Sequence, residues 1–226
     1  MKTDGFGKKA AVSLIILFIN FIATFIFILH MPEQVPVHFN TDMVCDRTGS
    51  RWLFIIFSAV FTTIPAVLYI ALSGNEKMKK NTRIIDVWMT TLTLIIVMFN
   101  WLILFFVDSS CKNGNGSVDS SLIWILPSIC GTAIALIGNY LPTLKQNKVI
   151  GYRSGWTLNN PQCWKLTHQL AGRMAFVAGI LTFIAGIIMK LAGVTSATAY
   201  SYAVILMVAI LIIVPNVYSY VHRDDR

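Results

Sequence analysis

The side chains best suited to binding or catalysis are concentrated in residues 138–173, which we call the polar connector. It reads GNYLPTLKQNKVIGYRSGWTLNNPQCWKLTHQLAGR and combines basic, amide and aromatic residues between strongly apolar segments. His168 is a candidate general base, and Arg153, Lys165 and Arg173 are suited to lipid phosphates or an acidic partner. A single histidine more often anchors the chain by hydrogen bonds, so we favour binding over catalysis.

Motifs typical of enzymes and metal sites are missing from the sequence. It contains no nucleophile elbow, phosphate loop, catalytic carboxylate pair, CxxC or HExxH. Five residues near one another in sequence offer metal-ligand atoms: His30, Glu33, His38, Asp42 and Asp46. Such residues are more often solvated or cap turns, so we predict no metal, no cofactor and no enzymatic activity.

The composition indicates an integral membrane protein. Hydrophobic residues make up 56% of the 226-residue chain and charged residues only 12%, whereas soluble domains are about 25% charged. Six segments are long enough to cross a bilayer as helices: 10–29, 52–72, 87–107, 121–141, 174–193 and 198–220. The predicted fold is therefore an all-α membrane protein with six transmembrane helices.

Charge asymmetry predicts the orientation of these helices. Of the 18 basic residues, 14 fall on one side if the segments alternate: Lys2, Lys8, Lys9, Lys77, Lys79, Lys80, Arg83, Lys145, Lys148, Arg153, Lys165, Arg173, Arg223 and Arg226. The positive-inside rule places this side, with both termini and the polar connector, in the cytoplasm. The net charge of +8 is thus explained by the membrane surface, and no direct nucleic-acid binding is expected.

The predicted fifth segment carries a repeat of small residues. Ala-Gly recurs every seven residues, at 171–172, 178–179, 185–186 and 192–193. Seven residues are nearly two helical turns, so the pairs follow one face of the helix. A tight helix–helix seam is the favoured interpretation, and the alternative is the wall of a groove that admits a peptide or an acyl chain.

Polar residues within the predicted spans are few. Four are amides at or within membrane depth: Asn20, Asn100, Asn139 and Asn216. Such amides usually join helices by hydrogen bonds. Carboxylates and basic residues are absent from the span centres, which argues against an ion-driven pump.

The polar connector also contains signals for local structure. Pro142 ends the fourth helix, Gly151 and Gly155 allow tight turns, and Asn160-Pro161 is a typical helix start. The helix that starts there runs into the fifth span. One of its faces gathers Trp164, Thr167, His168 and Ala171, and Trp156 and Trp164 are expected at the lipid headgroups.

The cysteines are scarce and fall into two groups. Cys45 and Cys111 share the predicted external side, where a disulfide forms if their loops meet. Cys130 and Cys163 are expected to be reduced packing residues.

The polar connector resembles the signature of SdpI-type (SdpI/YfhL-like) bacterial membrane proteins, whose usual form is close to GNxLPKxKxNxxxGIRTPWTLxxxxVWxKTHRxAGK. The resemblance implies binding positions at Asn139, Pro142, Asn147, Gly151, Arg153, Trp156, Thr157, Trp164, Thr167 and His168. Residues 31–51 are similar to the DUF1648-like segment of the same proteins, with candidate binding positions at Pro32, Pro36, His38, Phe39, Asn40 and Asp46.

The sequence departs from the usual pattern at four points. Ser154-Gly155 replaces Thr-Pro, which predicts a looser turn, and Gln146 replaces a proline. Gln169 replaces an arginine and removes one positive charge. Met43 stands where the external segment usually has glycine.

The resemblance implies toxin immunity. Its namesake protects the producing cell against a secreted, membrane-active peptide and is thought to hold a cytoplasmic repressor at the membrane. We therefore expect a multi-pass plasma-membrane protein that works by binding, with the lipid bilayer, a toxic peptide and a cytoplasmic repressor as partners. The toxin would be met through residues 31–51 and neighbouring helices, within a single integral domain divided into residues 1–72, 73–137 and 138–226.

Two other interpretations stay open from the sequence. One is a lipid- or small-solute-handling protein, either a transporter or a headgroup-acting enzyme, whose polar pocket would use Asn139, Arg153, Trp156 and His168. The other is a signalling receptor whose polar connector sequesters a soluble regulator.

Overall fold

A computed structural model describes residues 4–40, 42–73, 75–113, 116–118, 122–194 and 197–224. Lys2, Ser121 and Arg226, which entered the sequence predictions, lie outside these ranges. The helices are α1 (Asp4–Leu29), α2 (Leu53–Ser73), α3 (Thr82–Lys112), α4 (Ile125–Tyr140), α5 (Gly155–Asn159), α6 (Pro161–Leu191) and α7 (Ala197–Val221). Two strands, β1 (Gln34–Phe39) and β2 (Cys45–Ser50), and two 3₁₀ turns, Glu76–Asn81 and Leu141–Thr143, complete the description.

Six of the described helices are long and apolar enough to cross a membrane, which confirms the predicted number of spans. These are all the helices except α5, which has five residues. Helix α3 is longer than its predicted span, because helical backbone continues to Lys112. Helix α6 begins at Pro161, so the second half of the polar connector and the fifth span form one uninterrupted helix.

The prediction of an all-α fold was wrong for the segment between α1 and α2. Strands β1 and β2 pair there as an antiparallel hairpin, with Gln34 opposite Ser50 and Phe39 opposite Cys45. The alternation in QVPVHF places Val35 inward, where it packs in a cluster with Ile28 and Phe54, as expected for a half-buried strand.

Two connections fix the hairpin against the bundle. The Arg51 guanidinium Nη1 donates to the carbonyl oxygens of Leu29 (3.2 Å) and Met31 (2.6 Å), which satisfies acceptors at the end of α1. Val44 forms a bridge with Ser117 from the segment that follows α3. We call this end of the bundle the hairpin end. The opposite end, which holds residues 76–81 and 141–160, is the connector end.

Helices α4 and α6 form the tight seam that the Ala-Gly repeat predicts. A Cβ atom at Gly179 would overlap the backbone nitrogen of Ala135, and one at Gly138 would lie 2.6 Å from the backbone nitrogen of Phe176. A Cβ atom is therefore excluded at Gly138 and Gly179, and the backbones of the two helices gain close dispersion contact.

The amides inside the membrane behave in different ways. Asn100 on α3 donates to Thr24 on α1 (2.8 Å), which joins two helices as predicted. Asn216 instead donates to Ile212 of its own helix (2.7 Å). Asn20 is buried, and neither of its side-chain polar atoms has a partner among the described residues.

Candidate functional site: the polar connector and the grooves beside α6

The polar connector begins as a compact turn held by two asparagines. Asn147 accepts from the backbone nitrogens of Val149 (2.8 Å) and Ile150 (2.9 Å), which closes the turn on itself. Asn81, buried between α2 and α3, donates to the carbonyl of Lys145 (3.1 Å) and accepts from its N–H (2.8 Å). The α2–α3 connection and the polar connector are therefore joined by a two-point amide contact.

Helix α5 follows this turn and is capped at both ends. Ser154 accepts from the backbone nitrogen of Thr157 (3.3 Å), as an N-cap residue does. Gln146 donates to the carbonyl oxygens of Thr157 (2.8 Å) and Leu158 (3.0 Å). Gly155 is the first residue of α5 and has no positive φ, so the glycine is not needed for a turn. The expected loosening at Ser154-Gly155 is offset by the Ser154 cap.

His168 lies at the centre of the polar connector and is fully buried. Its Nδ1 lies 2.8 Å from the carbonyl oxygen of Trp164, and its Nε2 lies 3.1 Å from the backbone nitrogen of Tyr152. Since a carbonyl only accepts and an N–H only donates, Nδ1 carries the proton and Nε2 accepts. The imidazole is therefore neutral, and both nitrogens are engaged.

Aromatic packing encloses this histidine. Trp164 stacks on the ring at 4.0 Å between centroids, and Tyr152 meets it edge-on at 5.8 Å. Trp164 is buried in the protein, and its indole N–H donates to the carbonyl of Leu144 (2.8 Å). The place of Trp164 at the level of the headgroups stays a prediction. Gly151, with φ +104°, leaves no room for a Cβ, which would overlap His168 Nε2. The turn predicted at Gly151 is thus present and requires glycine.

Side chains of the polar connector reach α7 and the turn that follows it. The Tyr152 hydroxyl donates to the carbonyl of Leu211 (2.6 Å), and burial raises the pKa of that phenol. The Trp156 indole donates to Ser219 Oγ (2.8 Å). Asn160 caps α6, accepting from the backbone nitrogens of Gln162 and Cys163, and also donates to the carbonyl of Arg223. The polar connector therefore ties α6 and α7 together.

Most of the candidate residues in the polar connector contribute to this scaffold. The four residues that the lipid-handling interpretation assigned to one polar pocket do not share a pocket. His168 is enclosed, Trp156 contacts α7, Arg153 donates to the carbonyl of Lys148 (3.0 Å), and Asn139 is an exposed residue of α4. Pro142 packs where a side chain on Gly172 would stand. Thr167 is fully buried, and its hydroxyl has no partner among the described residues.

Basic residues form the outer surface of the polar connector. Five are exposed there: Lys145, Lys148, Arg153, Lys165 and Arg173. Salt bridges of the described residues do not involve them. This surface has the charge expected for contact with phosphate groups or an acidic protein.

The candidate residues at the hairpin end lie apart from the polar connector. His38 and Asp46 contact each other across the hairpin (2.6 Å) and are exposed, and Asn40 closes its turn by accepting from Asp42 and Val44. Pro36 is buried and Pro32 is exposed. Phe39 packs against the apolar cluster that contains Val35 and Ile28.

Cysteine pairing and metal binding were also considered for this end. Cys45 and Cys111 are free thiols in this structure, and a disulfide between them stays a prediction. Within the ranges that the structure describes, groups of three or more His, Cys, Asp or Glu side chains arranged for a metal ion were not found.

A groove of about 590 Å³ opens between α3, α4 and α6. Its walls are apolar and include Leu94, Thr132 and Leu136, and Lys190 lies at its hairpin end, 4.3 Å from the centre of the Trp124 ring. A second cavity of about 450 Å³ at the hairpin end holds the Asp108–Lys112 ion pair. Ile125 lines both, so they adjoin along one side of the bundle.

The residues that sequence reasoning missed act through contacts far apart in the chain. Asn81, Tyr152 and Ser219 were not singled out, and each reaches a partner at least 59 positions away. Gln146 was noted only as a departure from the usual pattern. The one available signal for the Tyr152 contact was Pro215 inside the last span. A proline within a helix leaves the carbonyl four residues earlier without its N–H donor, and that carbonyl, of Leu211, accepts from Tyr152.

Comparison with known proteins agrees with the resemblance. Residues 143–219 match the SdpI/YfhL protein family, and residues 15–63 match DUF1648, a domain of unknown function. The chain is 23% identical over 179 residues to "Immunity protein SdpI" of Bacillus subtilis (strain 168), covering 75% of this chain and 77% of that protein. Solved structures do not match the chain. With six apolar helices, the chain is a multi-pass bacterial cell-membrane protein.

Proposed function

We propose, from the premise that residues 143–219 are an SdpI/YfhL family region, that this protein is a membrane immunity protein protecting its cell against a membrane-active toxic peptide. The observation that carries the proposal is the similarity to Immunity protein SdpI over three quarters of the chain. Two family matches support it, one over residues 143–219, which include most of the polar connector, and one over residues 15–63, which include the segment at the hairpin end.

The geometry favours protection by binding rather than by catalysis. His168, the residue with the chemistry of a general base, is fully buried, and both of its nitrogens are occupied by backbone groups. A general base must reach the proton that it removes. His168 therefore acts as a positioning residue that holds the Tyr152 turn against α6.

The toxic peptide is proposed to bind along α3 and α4 from the hairpin end. The cavity beside Asp108 and Lys112 offers charged and polar atoms near the surface, and the adjoining groove offers an apolar surface inside the bilayer. An amphiphilic peptide needs both environments, since its apolar face gains from burial and its charged groups stay near water. The hairpin at the same end of the bundle would contribute His38 and Asp46 as exposed polar contacts.

The orientation proposed from the charge asymmetry puts the hairpin end outside and the polar connector in the cytoplasm. A membrane-impermeant amine reagent applied to intact cells should then leave exposed Lys148 unmodified and label it after permeabilisation. Equal labelling of Lys148 before and after permeabilisation would reverse this orientation.

The basic surface of the polar connector supports a further, finer proposal. Lys145, Lys148, Arg153 and Lys165 would hold an acidic patch of a cytoplasmic repressor. Neutralising Lys148 and Arg153 together should abolish capture of the repressor by the full-length protein in detergent. If the doubly neutralised variant captured the repressor with the same salt dependence as wild type, this surface would be excluded as the repressor-binding site.

Expression in a sensitive bacterium tests the main proposal. Cells carrying the wild-type protein should survive challenge with at least one peptide of a membrane-active panel that kills cells carrying an empty vector. Thr132→Phe fills the groove between α3, α4 and α6 and should lose protection at equal membrane abundance. Ile188→Phe, a lipid-exposed change outside that groove, is the matched control and should protect normally.

A further inference from the structure

A second groove, of about 720 Å³, lies between α6 and α7, on a different side of α6 from the proposed toxin groove. Its walls are apolar and come from residues such as Ala178, Ala185 and Met189 of α6 and Leu206 of α7. It extends along α6 from Arg173 to Met189, which at 1.5 Å per residue is about 24 Å. That is most of the roughly 30 Å hydrocarbon core of a bilayer, so the groove accepts an extended apolar chain.

Arg173 is the one charged residue among the described lining residues, and it lies at the connector end of the groove. Its side chain is exposed, and no salt bridge or aromatic contact of the described residues involves it. The cation of the other groove differs, because Lys190 rests on the Trp124 ring. A guanidinium fork offers paired donors to a phosphate, so Arg173 complements an anionic headgroup.

The polar atoms along the walls already have partners. Thr182 Oγ1 donates to the carbonyl of Ala178 (2.8 Å), and the carbonyl of Leu211 accepts from Tyr152 (2.6 Å). An extended peptide would need backbone hydrogen bonds that these walls do not offer, and such unsatisfied groups are costly in lipid. An acyl chain has no such requirement, so the groove favours a lipid over an extended peptide.

We propose that the α6–α7 groove is a binding site for one acyl chain of an anionic phospholipid, with the lipid phosphate held by Arg173 at the connector end. The site is separate from the groove that we assign to the toxic peptide and does not depend on the immunity function.

Lipid retention measured by native mass spectrometry tests the site. The full-length protein would be taken from vesicles of equal phosphatidylglycerol and phosphatidylcholine, and the bound lipids counted. Wild type should retain one phosphatidylglycerol preferentially. Arg173→Gln should reduce that preference about tenfold, the size expected for a lost charge-assisted contact. Lys80→Gln, an exposed basic change at the connector end outside both the groove lining and the polar connector, should leave the preference intact.

A second variant tests the apolar part of the site. Ala185 is an exposed residue of the groove wall, so Ala185→Phe should fold normally. Its ring would fill the groove, and neither phosphatidylglycerol nor phosphatidylcholine should be retained. Equal preference in Arg173→Gln and Lys80→Gln, or full lipid retention by Ala185→Phe, would overturn the proposal. So would a co-purified peptide, rather than a lipid, cross-linked to a photoreactive residue at Leu206. Because retention is measured without toxin, failure here would leave the immunity proposal standing.

Discussion

The hydroxyl of Tyr152 donates a 2.6 Å hydrogen bond to the carbonyl oxygen of Leu211, four residues before Pro215 in α7. Proline has no N–H, so Pro215 leaves that carbonyl without its usual donor inside the helix. The polar connector therefore supplies the donor that the last transmembrane helix lacks. This contact couples the turn around His168 directly to the middle of α7.

Removal of that hydroxyl should destabilise the protein. Tyr152→Phe leaves a buried carbonyl unpaired, and we expect a loss of about 1–3 kcal/mol in the free energy of unfolding. Burial raises the pKa of Tyr152 above its ordinary value of 10.0. The phenol is therefore protonated below pH 10, and the stability difference between wild type and Tyr152→Phe is complete there. It should shrink as the pH rises through the raised pKa. Denaturant titration in detergent at several pH values measures this.

A double-mutant cycle separates this contact from general packing. In Pro215→Ala, residue 215 regains an N–H that can pair with Leu211, so Tyr152→Phe should cost less in that background than in wild type. A coupling of about 1 kcal/mol is expected. The same penalty in both backgrounds would show that Tyr152 stabilises the fold by other means.

The turn beside His168 should not tolerate a side chain at Gly151. Gly151→Ala combines a strained φ of +104° with overlap between the new Cβ and His168 Nε2, so we expect a loss of about 1–3 kcal/mol. Gly155→Ala is the matched control, because its Cβ would meet no atom within 4 Å. That change should be neutral or stabilising by up to about 1 kcal/mol. Thermal unfolding of both variants decides, and equal midpoints would refute the role assigned to Gly151.

Met43 should be a site of stored strain in the hairpin. It has a φ of +58°, a left-handed conformation that side chains other than glycine adopt at a cost of roughly 1–2 kcal/mol. Met43→Gly should therefore slow hydrogen exchange at the backbone amide of Cys45, which donates to Gly116 (3.1 Å). Unchanged or faster exchange would mean that the Met43 side chain offsets the strain through its own contacts.

The seam between α4 and α6 should show graded sensitivity to added methyl groups. Gly179→Ala places a Cβ in overlap with the backbone nitrogen of Ala135. At Gly186 the new Cβ makes only tight contacts that a small shift relieves, at 3.1–3.2 Å from atoms of Ser128, Pro127 and Trp124. We expect a loss of about 2 kcal/mol or more at Gly179 and less than about 1 kcal/mol at Gly186. Membrane abundance and thermal stability of the two variants should follow that order, and the reverse order would contradict the assigned seam.

Periodic and local features of this fold were accessible from the sequence. The six apolar runs identify the spans, the seven-residue Ala-Gly repeat predicts a tight seam on one face of α6, and Asn160-Pro161 locates the start of α6. These predictions were possible because a chain that crosses a bilayer must form helices. Helix caps and faces of small residues are also set by residues close together in the sequence.

Features that depend on distant contacts were not accessible. The hairpin was missed because its alternation is short and contains a proline. The burial of Trp164 was not foreseen because it depends on Leu144 and His168. The contacts of Tyr152 with α7 and of Asn81 with Lys145 join residues about 60 positions apart. Pairings of that kind are decided by tertiary packing, which a single sequence does not reveal.

Cross-linking of a toxic peptide in living cells tests the central claim most directly. A photoreactive amino acid would replace either Leu94, in the groove between α3, α4 and α6, or Ile188, which faces lipid outside it. Cells protected by each variant would be illuminated during challenge with the peptide against which they are resistant. Binding in the groove predicts a peptide adduct at position 94 and little or none at position 188. Protection without an adduct at position 94, or with equal adducts at both positions, would contradict it.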